Sequence, residues 1–323
     1  MSAAQSPHLV IPFAACTGEA WLQAMKALPA GSLKNLGKLL QGMKLVETST
    51  GEALSLSTPH ERVLARVQGL GTSELADGLI PWAALEADGT HGANSKAWAF
   101  ITPCHWAMGR EHATLTDPAA LGLTADESRI LLAAMQAYFE TEGITLHYAA
   151  PERWLAEGEL FRQLPTASLD RVLGRNVDTW LPGAKTAPSL RRLQNEMQML
   201  LYTHALNDER GMKRQLPVNS FWISGTGALD KPATASLHNI MVPRSLAQAA
   251  FTDDWNAYVQ AWGRLDAGEI GKLLARQNAG ETVRLSLCGE RNAQTFETAV
   301  HSLFSRISSL LAPQPPLAVL EQL

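Results

Sequence analysis

The chain has 323 residues and carries 27 Lys and Arg against 31 Asp and Glu, a formal charge of −4 with neutral histidines. That balance argues against a nucleic-acid binder of the broad basic-face type, because sequence-independent phosphate binding needs clustered cations. Apolar residues make up an ordinary 46%, whereas 18% charged is below the usual ~25%, so more of the surface must be neutral polar or engaged in contacts.

Cys16, Cys104 and Cys288 are an odd number and far apart, so a disulfide framework would leave one over; a reducing cytoplasm fits better. No Lys or Arg precedes the apolar run Leu9 to Ala15, and Pro12 interrupts it, so it reads as a first β-strand rather than a signal peptide. No run approaches the ~18 consecutive apolar residues that span a bilayer, so no membrane association is expected.

Along the chain, HLVIPFA is a buried strand feeding helices around 19–28 and 32–42. Thr58-Pro59-His60-Glu61 is a capping box with proline at the first helical position, which puts His60 in a first turn, expected to be exposed. AWAFITP reads as a strand, and Thr124 with Glu127 opens a helix to about Glu142. Strand ITLHYAA, short Pro-punctuated helices, and a helix from Leu190 to about His204 follow. Strands over 218–224, 239–243 and 282–288, helices over 245–262 and 266–278, and a last helix from about Gln294 to Leu311 complete the order, with a loose tail from Pro313. The alternation predicts one α/β domain over 1–323, mainly a parallel sheet flanked by helices, with 182–188 as the candidate boundary of a smaller inserted subdomain.

Four segments carry chemistry-bearing residues. A hairpin turning at Gly109 would bring His105 and His112 together beside Arg110 and Glu111, two imidazoles and a carboxylate of the kind zinc or manganese takes. Arg171 and Arg175, with Asn176, flank Gly174, where guanidinium groups could hold a phosphate or carboxylate bidentately. The stretch His204 to Arg210, including Asp208, crowds ionisable and amide groups into what reads as a loop. Asn219 opens an apolar strand ending in Ser224-Gly225-Thr226-Gly227, a glycine turn that would present backbone N–H groups at a sheet edge. It is neither a dinucleotide fingerprint nor a P-loop, and no Gly-x-Ser-x-Gly elbow or His-Glu-x-x-His occurs.

The segments LPTASLDRVLGRNVDTWLP, RRLQNEMQMLLYTHALNDERGMKRQLPVNSFWISGTG and VRLSLCGERNAQTFE together resemble the RpfE-type family of proteobacterial regulatory proteins, over most of the chain after about residue 98. That family is in turn similar to the cofactor-independent phosphoglycerate mutases, and LPVNSFWISGTG resembles the strand and glycine turn of the archaeal mutases. The resemblance implies an alkaline-phosphatase-like α/β fold. In those mutases it also implies two metal ions held by an Asp after the first strand and by later Asp-His pairs, with a Ser or Thr nucleophile. Here the first strand runs into Phe13-Ala14-Ala15-Cys16 without an acid, and Glu111-His112 is the nearest analogue of an Asp-His pair. A two-metal centre needs several carboxylates to balance its charge.

The resulting expectation is a cytoplasmic regulatory or ligand-binding protein on a phosphoglycerate-mutase-like scaffold, with no cofactor. A small anionic, phosphorylated ligand would meet His105, Arg110, His112, Arg171, Arg175, Asn176, His204, Asn219, Ser224, Gly225 and Gly227. The alternatives are a zinc- or manganese-dependent phosphohydrolase or mutase ligated by His105, Glu111, His112 and Asp208, and a module whose neutral surface docks a protein partner.

Overall fold

The computed structural model describes residues 6–70, 75–91, 95–183, 187–229, 239–299 and 315–323. Along the chain run β1 (His8–Ile11), α1 (Glu19–Lys26), α2 (Lys34–Gln41), β2 (Met43–Ser49), α3 (Pro59–Val67), α4 (Trp82–His91), β3 (Ala97–Cys104), β4 (Trp106–Met108), β5 (Ala113–Leu115) and α5 (Ala125–Thr141). Then come β6 (Thr145–Ala150), β7 (Arg153–Glu157), α6 (Leu169–Val172), α7 (Pro188–Tyr202), α8 (Ala205–Met212) and β8 (Ser220–Ala228). The chain closes with β9 (Ile240–Met241), α9 (Ser245–Phe251), α10 (Trp255–Leu265), α11 (Gly271–Asn278), β10 (Arg284–Cys288), β11 (Ala293–Thr298) and α12 (Pro316–Leu320). Among the described residues no helix is long and apolar enough to cross a membrane.

The chain divides into two compact units, one of residues 1–54, 58–69 and 235–323, the other of 55–57 and 70–234. Residues 182–188 fall within the second unit; 184–186 lie outside the described residues. Prolines there punctuate the approach to α7, where Pro188 takes an N-terminal position at which its missing N–H costs nothing.

The first unit is built on a five-stranded sheet in the order β2-β11-β10-β1-β9. β1 runs parallel to both β10 and β9, while β11 is antiparallel to β10 and to β2. All four residues of β1 are buried, as expected for a strand with side chains packed on both faces. Leu9, Ile11, Leu285 and Leu287 join Trp21, Leu36, Leu39, Tyr258 and Trp262 in one core. A π-helical turn, Asp266–Ile270, joins α10 to α11. Its widened winding leaves the Asp266 carbonyl to accept from Asn35 Nδ2 at 2.9 Å, while the Asp266 carboxylate caps α2 through the amides of Asn35 and Leu36 at 3.0 and 2.8 Å. Burial pushes that carboxyl up, against the two amides that hold it down.

The second unit holds a fully antiparallel sheet, β6-β7-β3-β8, and the β4-β5 hairpin. α5 and α7 supply Leu131, Met135, Phe139, Leu193, Met197 and Leu201 to a core completed by Ile101, Trp154, Phe221 and Ile223. The α/β class with helices flanking sheets therefore stands, but among the described strands parallel pairing is found between β1 and its two neighbours, the rest being antiparallel.

Both capping boxes form as the sequence predicts, Thr58 with Glu61 and Thr124 with Glu127. His60 is nevertheless buried, at 4% exposure. Other expectations are revised. Residues 293–298 are strand β11 rather than the start of a helix, the remainder of that expected helix from 300 lying outside the described residues, and the tail forms α12 with Val319 and Leu320 buried.

Candidate functional site

The β4-β5 hairpin exists, with Trp106 opposite Leu115 and Met108 opposite Ala113. It does not bring His105 and His112 together. His105 stands at the open end, its carbonyl accepting from Thr116 N at 3.0 Å, whereas His112 belongs to the exposed turn with Arg110 and Glu111, where Gly109 N donates to His112 O. About 10 Å of ladder separates the two positions at ~3.3 Å per residue. The His105 ring donates through Nδ1 to the Pro217 carbonyl at 2.9 Å.

What the fold gathers around this hairpin is a set of side chains spent on backbone. Asn219 accepts from Trp106 N at 2.7 Å and donates to Trp106 O at 3.0 Å, acting as a one-residue strand partner. The 173–176 turn docks on β5 through Leu173 against Leu115 and Asn176 against Thr114, and Gly174 N donates to Leu115 O at 2.9 Å. Asn176 caps the following turn by accepting from Asp178 N at 3.0 Å. Arg175 is exposed, but Arg171 is buried, donating to Ser57 O at 3.2 Å and lying 5.9 Å from the Trp180 ring centre. The stretch from 204 is not a loop: His204 is the N-cap of α8, its Nδ1 accepting from Leu206 N at 3.2 Å, and Asp208 lies in the exposed first turn.

Ser224, Gly225 and Gly227 are also placed differently. β8 runs through them to Ala228, paired with β3, so there is no glycine turn at its end. The glycines adopt φ of 61° and 137° at a register shift, and a Cβ at Gly225 would lie 2.8 Å from the Phe100 ring. Close approach of Phe100, rather than display of N–H groups, explains glycine there.

A metal set fits no better. Among the described residues no three His, Cys, Asp or Glu gather where they could hold an ion: Glu111 and His112 share the hairpin turn, His105 stands at the hairpin's open end and Asp208 lies in α8. The register of the hairpin sets His105 and His112, expected to share a site, at its two ends.

A different group of residues converges in the first unit, at the carboxyl end of β1 and β10, the edge at which open α/β sheets bind ligands. Phe13, two residues beyond β1, has φ of 53°, a strained value for an aromatic residue. Its ring packs edge-on against Phe251 and 6.2 Å from His60, and its carbonyl accepts from the fully buried Tyr258 hydroxyl at 2.7 Å. Tyr258 also receives Trp21 Nε1 at 3.2 Å and interacts with Trp262 and Cys16; burial raises its pKa well above the usual phenol value. Next in the chain, exposed Thr17 donates both its amide, at 2.7 Å, and its hydroxyl to the Glu290 carboxylate in the loop after β10. Arg62, from α3, donates to Arg291 O in the same loop at 2.8 Å and to Ser49 Oγ at 3.3 Å, and Arg66 joins it on Ser49 Oγ at 2.8 Å. Burial drives the thiols of Cys104 and Cys288 far above their ordinary pKa, so neither is a thiolate nucleophile.

Sequence reasoning passed over Phe13, Thr17, Tyr258 and Glu290. The one available signal was the small-residue run Ala14-Ala15-Cys16-Thr17-Gly18 between a buried strand and a helix.

No family model matches the chain. Over 123 residues it is 25% identical to the 2,3-bisphosphoglycerate-independent phosphoglycerate mutase of Methanosarcina barkeri (strain Fusaro / DSM 804), a stretch covering 38% of this chain and 31% of that protein. The match thus spans about a third of the curated relative's length and supports a remote similarity to the cofactor-independent phosphoglycerate mutases. Among solved structures, the cofactor-independent phosphoglycerate mutase from Thermoplasma acidophilum DSM 1728 superposes with a TM-score of 0.36 at 13% identity, over 92% of this chain and 91% of that one. The PH0037 protein from Pyrococcus horikoshii gives 0.42 at 12% identity, over 92% and 88%.

Proposed function

We propose that the chain is a regulatory or ligand-binding protein on a phosphoglycerate-mutase-like scaffold, taking a small phosphorylated ligand at the carboxyl edge of β1 and β10. The observation that carries this reading is the strained Phe13, held by the Tyr258 hydroxyl beside the Thr17-Glu290 pair. Strain maintained by surrounding structure is characteristic of ligand sites. Arg62 reaches the loop that carries Glu290 by donating to the Arg291 carbonyl, while Arg66 is paired with Glu47. The likeness to a mutase that acts on phosphoglycerate supports the choice of ligand class, and the sequence resemblance to RpfE-type proteins supports a regulatory role. The described residues do not fit the paired metal ions of the mutases, so no metal-dependent step is assigned.

The second reading, a phosphoryl-transfer enzyme, is favoured by one observation: the Thr17 hydroxyl donates to a carboxylate, the arrangement of a nucleophile and its base. Calorimetry with 3-phosphoglycerate, alongside a mutase and phosphatase assay of the same preparation, separates the two. Binding without turnover, weakened by Thr17→Val and Glu290→Gln, supports the binding protein. Turnover abolished by Thr17→Val supports the enzyme, and neither binding nor turnover defeats both.

A further inference from the structure

β10 and β11 form a hairpin whose ladder runs one pair beyond the strands, Gly289 N donating to Asn292 O at 2.8 Å, so Glu290 and Arg291 alone make its tip. The tip lies at the carboxyl end of β10, where Ala14 N donates to Cys288 O at 2.8 Å and draws the turn after Phe13 alongside. Separate parts of the first unit hold it. Thr17 donates its amide and hydroxyl to Glu290, Arg62 donates to Arg291 O at 2.8 Å, Gly51 N donates to Asn292 Oδ1 at 3.4 Å, and Asn292 N donates to Leu323 O at 3.0 Å. Glycine at 51 leaves room for this: a Cβ there would stand 2.7 Å from a guanidinium nitrogen of Arg62 and 2.9 Å from Arg291 O.

The backbone of the tip is thus fixed from several directions, and the Arg291 side chain is not. It is exposed, and among the described residues no carboxylate lies within ion-pair distance of its guanidinium and no group accepts a hydrogen bond from it. The cations of α3 are committed to structure, Arg62 to Ser49 Oγ and Arg291 O, Arg66 to Ser49 Oγ and Glu47. Consecutive Cα atoms are about 3.8 Å apart, so Arg291 starts one residue from the carboxylate that meets Thr17, and its side chain spans to a group bound beside that pair.

We propose that Arg291 holds the phosphate of the ligand taken at the edge of β1 and β10. This rests on the ligand site proposed above and supplies the cation that site otherwise lacks. Glu290 puts a negative charge at the edge, and a phosphate bound close to it needs a guanidinium to offset the repulsion. The planar fork of arginine meets two phosphate oxygens at once, which a lysine ammonium does not. Because the backbone beneath Arg291 is already fixed, binding orders the side chain alone.

The test is calorimetry on the full chain with 3-phosphoglycerate, with inorganic phosphate as competitor. The expected result is affinity at least about tenfold lower in Arg291→Ala, partial recovery in Arg291→Lys, and no change in Arg276→Ala, which removes an exposed cation of α11 paired with Glu281. Added salt weakens binding by the parent more than by Arg291→Ala, and inorganic phosphate competes in the parent alone. Thermal unfolding of Arg291→Ala matches the parent, because the side chain holds nothing in the fold. Equal affinity in the parent and Arg291→Ala, or an equal loss in Arg276→Ala, overturns the role of Arg291 while the ligand edge stands. No binding of 3-phosphoglycerate by the parent overturns the edge itself, and the role of Arg291 with it.

Discussion

The Tyr258 hydroxyl donates to the carbonyl of Phe13, 245 residues away in the chain, at 2.7 Å, and Phe13 is the residue at which the backbone leaving β1 turns into the left-handed region. The same oxygen receives the Trp21 indole, so one buried atom ties α1 and α10 to the end of β1. Tyr258→Phe removes the donor and leaves a buried carbonyl and indole short of partners. Unfolding in urea should show a loss of about 1–3 kcal/mol. If the Phe13 conformation is also what shapes the proposed ligand site, the variant binds 3-phosphoglycerate more weakly while still folded at 25 °C. A variant as stable as the parent would show that the hydrogen bond does not hold the turn.

His8 makes stability depend on pH. It is buried with Nε2 2.8 Å from Ser286 Oγ, and burial, followed by the Arg284 charge, lowers its pKa from 6.5 to about 4. The unfolded chain therefore takes up this proton before the folded chain does. Stability should be flat above about pH 6.5 and fall as pH drops towards 4, by up to ~1.4 kcal/mol per pH unit. Denaturant midpoints across that range check this, and His8→Gln should flatten the slope. An equally steep slope in the variant would assign the effect to other groups.

Arg210 is fully buried, and its guanidinium satisfies Leu216 O, Leu121 O and the Glu127 carboxylate at 2.9, 2.6 and 3.0 Å. Arg210→Met strands two carbonyls and a carboxylate, and should cost about 3–5 kcal/mol in a denaturation experiment. Adding Glu127→Gln should restore part of that loss, because the uncompensated charge is gone; a purely additive double variant would refute the coupling.

Glu127 gives the pair an acid limb. Burial alone would raise its carboxyl, but the Thr124 amide and hydroxyl together with Arg210 outweigh it and hold the pKa below the ordinary value. Its contribution is present above the ordinary carboxylate range and is lost as pH falls through the depressed pKa. The acid unfolding limb of Arg210→Met should accordingly be shallower than that of the parent.

Asp253 closes α9 with φ of 52°, while its amide and that of Asp254 return to Ala250 O and Ala249 O at 3.3 and 3.0 Å. This is the position at which glycine is favoured after a helix. Asp253→Gly should raise stability by about 0.5–1 kcal/mol, and Asp253→Ile should lower it by more, both read from thermal unfolding.

Local chemistry accounts for what could be read from residues in order. Thr58 with Glu61 and Thr124 with Glu127 carry their partners within three positions, so both helix starts are legible. β1 announces itself by four consecutive apolar or aromatic-like positions that end up buried. His204 was misread as part of a functional loop because an N-cap and a ligand call for the same polar side chain, and only the Leu206 amide above it distinguishes them. Gly225 and Gly227 looked like a turn for a similar reason: glycine marks positive φ wherever it is needed, and here the need is Phe100 pressing on a bulged strand.

The sequence by itself determined the α/β class, the caps, the positions of most elements and the absence of an acid after the first strand, because propensity, capping and hydrophobic period act over a few residues. Tertiary structure alone decided the rest. Asp266 caps α2 from 230 residues away, Tyr258 fixes Phe13, and Glu290 meets Thr17 only because β10 lies beside β1. Such contacts depend on which strands become neighbours, and strand order is set by burying a whole core at once rather than by any short run of residues.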